Sequence, residues 1–190
     1  MKNLSTNPRQ RGVSMIEVLV TIVILSFGLL GLVGLQSRLQ LSELEAYQRS
    51  QALILLDDMA NRIMNNRSSA ASYVTGSDAP LGFGISCTYD GTSSRKAQDS
   101  CEWSNALQGA AEISGTNKVG AVVGGRGCVE NLGSGEYLIT VAWQGMGPVS
   151  APPTSVACGQ NNYNGVSGSR CINDLCRRTV STIVRIANLI

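Results

Sequence analysis

Residues 13–35 read VSMIEVLVTIVILSFGLLGLVGL, twenty-three positions with a single charge, Glu17. As an α-helix rising about 1.5 Å per residue the run extends about 35 Å, enough to cross a hydrocarbon core of about 30 Å. A buried core helix seldom stays uncharged over such a length. Lys2, Arg9 and Arg11 precede it with no acid among them. That charge pattern keeps an N-terminus in the cytoplasm and sends the rest of the chain outward. A secretory signal peptide fits poorly. Its apolar region spans about 7–15 residues and ends at a small-residue cleavage site, whereas Gln36, Ser37 and Arg38 follow here. Glu17 is the anomaly. A carboxylate one turn inside an apolar helix is costly in lipid, so an acid retained there marks a function.

The whole chain has 190 residues, room for one domain and an accessory segment. Fifteen Lys and Arg against thirteen Asp and Glu leave a net charge of +2 with no basic stripe, so nucleic acid is not an expected partner. Histidine is absent. This removes Ser-His-Asp hydrolysis, Cys-His proteolysis and histidine-ligated zinc or haem. Residues 120–127, GAVVGGRG, lack the Lys-Ser/Thr that would hold phosphates and magnesium, and read as a glycine-rich turn. Asp57 and Asp58 are adjacent on a helix and diverge, so they cannot share a substrate. Asn66-Arg67-Ser68 is a glycosylation sequon that says nothing without its host. No catalytic residue, cofactor or metal is expected, and the chain does not read as an enzyme.

Helical character continues over residues 36–66, which hold no Pro and no Gly. Leu39, Ser42, Ala46, Leu53, Leu56, Ala60 and Ile63 form one stripe, widened by Leu41, Leu44, Ala52, Leu55 and Met59. Sustained heptads are missing, which argues against a coiled coil. The reading is one helix from Val13 to about Asn66, membrane-spanning over 13–35 and amphipathic over 36–66.

Beyond it, residues 67–190 form an extracytoplasmic domain rich in Gly, Ser, Asn and Cys. Residues 136–145 and 180–186 alternate as strands, and residues 118–123 are a weaker strand candidate. Residues 99–113 read as a short helix through Trp103, Leu107 and Ala111, and residues 144–153 and 159–168 as loops. The expected class is α+β, with the distal half of the long helix packed on a small antiparallel sheet and disulfide-linked loops. Cys87, Cys101, Cys128, Cys158, Cys171 and Cys176 all fall in this domain. An even count in an oxidising compartment implies disulfides, and six cysteines allow fifteen pairings. Close CxxC pairs that would suggest zinc or a redox thiol are lacking. Sequence-local pairing is preferred, Cys87 with Cys101 and Cys158 with Cys171 or Cys176.

The run from Arg11 to Val20, RGVSMIEVLV, resembles the class III leader junction of type IV pilins and pseudopilins. Basic leader, glycine, glutamate at a fixed offset and unbroken apolar helix all match. The resemblance implies cleavage after Gly12 by a prepilin peptidase, which removes leader 1–12, and N-methylation of Val13, where the family more often has Phe or Met. The leader's three positive charges, taken from +2, leave the mature chain at −1. Glu17 would pair with the new amine of a neighbouring subunit, satisfying two groups that are costly to bury alone. Such a contact is heterologous and repeats into an open helical filament. Major pilins usually carry a proline about where Gly34 stands, and Gly28, Gly31 and Gly34 invite close helix approach. Gly127-Cys128, Tyr137, Val141, Trp143-Gln144-Gly145 and Arg177-Arg178 further resemble the PilV minor pilins, without transferring any binding role. The function implied is a minor type IV pilin, held in the inner membrane by one span and then built into an extracellular pilus. Its partners would be the peptidase, the major pilin, other minor pilins and inner-membrane assembly proteins. The alternatives are a type II secretion pseudopilin and, from another class, a single-pass anchored binding protein or adhesin.

Overall fold

A computed structural model describes residues 12–88, 91–110, 113–115, 117–118 and 122–187. Helix α1 runs unbroken over Met15–Asn65, about 75 Å at 1.5 Å per residue. A 3-10 segment, Arg67–Tyr73, follows, then strand β1 (Leu81–Gly82), helix α2 (Arg95–Leu107) and the short strands β2 (Ile113–Ser114) and β3 (Asn117–Lys118). Strands β4 (Arg126–Gly133), β5 (Glu136–Gln144) and β6 (Arg177–Arg185) complete the chain. The main sheet is antiparallel in the order β1-β4-β5-β6, and β2 and β3 pair separately. This is the α+β, pilin-like arrangement that the sequence leads one to expect. The chain divides within α1, between Ser42 and Glu43, into two units.

In the first unit every side chain from Val13 to Ser42 is exposed. In the second, Ala52, Leu56, Met59 and Ile63 of α1 pack with Trp103 and Leu107 of α2 and Val129, Ile139, Val141 and Val184 of the sheet. The buried stripe of α1 is therefore Gln48, Ala52, Leu55, Leu56, Met59, Ala60 and Ile63. Leu39, Leu41, Ser42, Leu44, Ala46 and Leu53, expected on it, are exposed. Among the described residues Glu45 is the first of α1 to bond to the sheet, through Arg178 of β6, so Leu39, Leu41 and Leu44 lie before it, while Leu53 lies off the buried stripe.

Three further expectations are corrected. Helix α2 begins at Arg95 rather than at Asp99, because the Ser94 hydroxyl accepts from the Ala97 amide and caps it. It stops at Leu107 because Gly109 turns the chain with φ +78°, and Ile113 lies in β2; Ala111 lies outside the described residues. Of the candidate strand 118–123, Lys118 is in β3, residues 119–121 lie outside the described residues, and Val122 and Val123 are not in a strand. The second strand of the main sheet is instead β4.

Cys87 pairs with Cys101, Cys128 with Cys158, and Cys171 with Cys176. Cys158 thus does not take Cys171 or Cys176. The segment after β5 folds back over the sheet face opposite α1, where Cys128, Ala142, Cys158 and Tyr163 form a second buried cluster. The Tyr163 hydroxyl lies 2.9 Å from the carbonyls of both Gly124 and Ala142. Buried Arg177 donates to the carbonyls of Val156 and Cys158, at 2.6 and 3.1 Å, and lies 3.2 Å from Asp174. Cys128 points into this cluster from the middle of β4, which brings Cys158 to it.

Candidate functional site at the N-terminal junction

Gly12, Val13 and Ser14 are non-helical, and α1 starts at Met15. The Ser14 carbonyl accepts from the amides of Glu17 and Val18, at 3.0 and 3.3 Å. Glu17 sits in the first turn, where a carboxylate answers the positive end of the helix dipole. Ser14-x-x-Glu17 also has the spacing of a capping box, a signal that would have singled out Ser14 as the residue where the helix starts.

The polar side chains of the apolar stretch divide into two kinds. Thr21 donates its hydroxyl to the Val18 carbonyl at 2.8 Å, and Ser26 to the Ile22 carbonyl at 2.7 Å. Both are satisfied within the helix, as a nonpolar surrounding requires. Glu17 has no ion pair and no side-chain hydrogen bond among the described residues. A carboxylate cannot bond back to helical carbonyls, since it only accepts.

Gly28, Gly31 and Gly34 are equally unexplained by the single chain. A Cβ at any of them would meet nothing within 4 Å. Helix α1 is long and apolar enough to cross a membrane, and none of its most apolar window is buried.

The domain carries its own charged cluster. A depression of about 320 Å³ is lined by Arg62, Asn65, Asn66, Arg95, Asp99 and Glu102. Arg62 of α1 lies 3.0 Å from Asp58, 3.1 Å from Asp99 and 2.7 Å from Glu102, and Arg95 lies 3.4 Å from Asp99. The Tyr73 hydroxyl donates to Asp99 as well. Burial alone would lower the Arg62 pKa, but its bonds to Glu102 and Asp58 raise it above the ordinary value. These charges satisfy one another and fasten α1 to α2. No group of three or more His, Cys, Asp or Glu able to hold a metal occurs among the described residues.

The geometry defines a class first: an α+β domain stapled by three disulfides, continuous through its first helix with an exposed apolar segment of membrane-spanning length. Residues 7–33 match the family model of the prokaryotic N-terminal methylation motif, which takes in Gly12, Val13 and Glu17. That match supports a type IV pilin-like or pseudopilin-like protein. No curated protein and no solved structure matches the chain.

Proposed function

We propose that the chain is a minor type IV pilin, cleaved after Gly12 by a prepilin peptidase and methylated on the amine of Val13. The observation that carries this reading is Glu17, without a partner among the described residues, five positions after Gly12 inside the matched motif, on an apolar stretch where the Thr21 and Ser26 hydroxyls bond within the helix. An ammonium at Val13 of a neighbouring subunit would neutralise Glu17 and set the axial register. Close packing of like helices would explain the open space beside Gly28, Gly31 and Gly34. The chain would wait in the inner membrane and then enter an extracellular filament with the major pilin, other minor pilins and the inner-membrane assembly proteins. The absence of proline near Gly34 and the framework residues of β4–β6 favour a minor subunit of the PilV type, with a structural role and no catalysis.

Mass spectrometry of the N-terminal peptide from sheared surface filaments tests it. A peptide starting at Val13 and one methyl group heavier than the bare chain is expected. The same peptide confined to membranes would turn the assignment to a secretion pseudopilin. An intact Met1 start would leave an anchored binding protein and remove both. Glu17→Ala should cut incorporation sharply; unchanged filaments would refute the register argument.

A further inference from the structure

Strand β6 is an edge of the main sheet, paired with β5 on one side alone among the described residues. The Ile186 amide bonds to the Gly135 carbonyl and the Cys176 carbonyl to the Gly145 amide, each at 2.8 Å. Even-numbered residues therefore face β5. The amides and carbonyls of Thr179, Ser181, Ile183 and Arg185 face outward, since the two sets alternate along a strand. The edge is closed just before β6, where Val149 donates to the Leu175 carbonyl at 2.8 Å. Beyond Arg178 no described backbone group covers it.

Free edges are ordinarily blunted by shortness, proline, a bulge or central charge. β6 has nine residues, no proline and no charge between Thr179 and Val184, and five of the nine are β-branched. Ser181 and Ile183 are exposed, and Val180 and Thr182 on the α1 side are half-buried. At its end lies a depression of about 290 Å³ lined by Met64, Arg67, Arg185, Ile186 and Ala187. Arg67 has no ion pair among the described residues, and Arg185, 2.8 Å from Glu136, keeps 75% of its side chain exposed. The end of the edge is thus an apolar floor under two cations.

We propose that this edge receives an extended segment of a partner protein, added as a further strand, with an acidic residue seated between Arg67 and Arg185. Main-chain bonds would supply affinity, and the depression would select the sequence. A second copy of β6 is a poor occupant. Its nine residues carry no acid to seat between Arg67 and Arg185, and antiparallel pairing centred on Ser181 would set Arg177 of one copy, already held by Asp174, opposite Arg185 of the other. The proposal stands whether or not the chain is processed after Gly12.

The test uses the full chain in detergent micelles and two labelled peptides, a Thr-Val repeat flanked at both ends by glutamate and the same repeat flanked by lysine. Fluorescence anisotropy should show saturable binding of the glutamate peptide and at least about tenfold weaker binding of the lysine peptide. Ser181→Pro removes an outward N–H without touching the β5 ladder, so binding should fall by about tenfold or more while the melting temperature holds. Arg67→Glu, on the exposed rim, should reverse the order of the two peptides even if the proline variant does not fold. Absent binding, or binding indifferent to Arg67→Glu, overturns the proposal. So does self-association of the wild-type chain that Ser181→Pro abolishes, which would make a second copy the occupant.

Discussion

Trp103 fills the space that a side chain on Gly127 would need: a Cβ there would lie 2.1 Å from Cη2 of the indole. The same indole donates its N–H to the Leu55 carbonyl at 2.8 Å. One side chain from α2 thereby touches both α1 and β4, and Gly127 is required by close approach. Gly127→Ala should destabilise the domain by about 1–3 kcal/mol through overpacking. Trp103→Leu alone is costly, but the double variant should lose clearly less than the two single losses combined. Denaturant melts of the three variants check it; strict additivity would mean that the two residues do not compete for space.

The three disulfides should differ in worth. Removing Cys128–Cys158, which closes a separation of 30 residues, should cost about 3–4 kcal/mol on chain-entropy grounds. Removing Cys171–Cys176, with a separation of 5, should cost about 2 kcal/mol. Paired serine variants compared in the same melt decide the order.

Hydrogen bonds from Arg62 and then Gln98 hold the Glu102 carboxyl below its usual range. A folded value below the unfolded one, about 4.3, means that Glu102 stabilises the fold above that pH. The contribution is lost as pH falls through the lower folded value. Glu102→Gln should therefore lower the melting temperature at pH 7, by an amount that shrinks as pH falls toward 3. An equal drop at both would exclude charge as the cause.

Glu130 of β4 carries the opposite sign. Burial first, then the negative charge of Asp78, raise its carboxyl pKa. Its neutral form suits the fold, so the benefit holds below the unfolded value of about 4.3 and is lost as pH rises through the folded one. Glu130→Gln should raise the melting temperature at pH 7 and leave it unchanged near pH 3. A gain that persists at pH 3 would point to packing.

The apolar helix was legible because composition alone marks it, and the N-terminal methylation motif because its whole context is contiguous. Strand β5 was legible through its alternation. Strand β4 was not, because Gly127, Cys128 and Val129 are buried in succession, Cys128 against one face of the sheet and Val129 against the other. A strand buried on both faces shows no period of two. Helix α2 was misplaced because Ser94, its cap, stands more than two turns before Trp103, the first apolar residue of the stripe. The reach of the sheet along α1 depends on a pairing 133 residues apart in sequence, Arg178 with Glu45, which local pattern cannot supply. The open edge of β6 likewise follows from strand order, which β6 does not encode.

The three bridges each join a cysteine to the very next one along the chain, so no loop interlocks with another. For a polypeptide threaded N-terminus first through a pore, each second thiol of a pair would be the first free one to emerge after its partner. Simple oxidation in order of appearance would then yield the native set, with no wrong bridge to undo and no need for reshuffling.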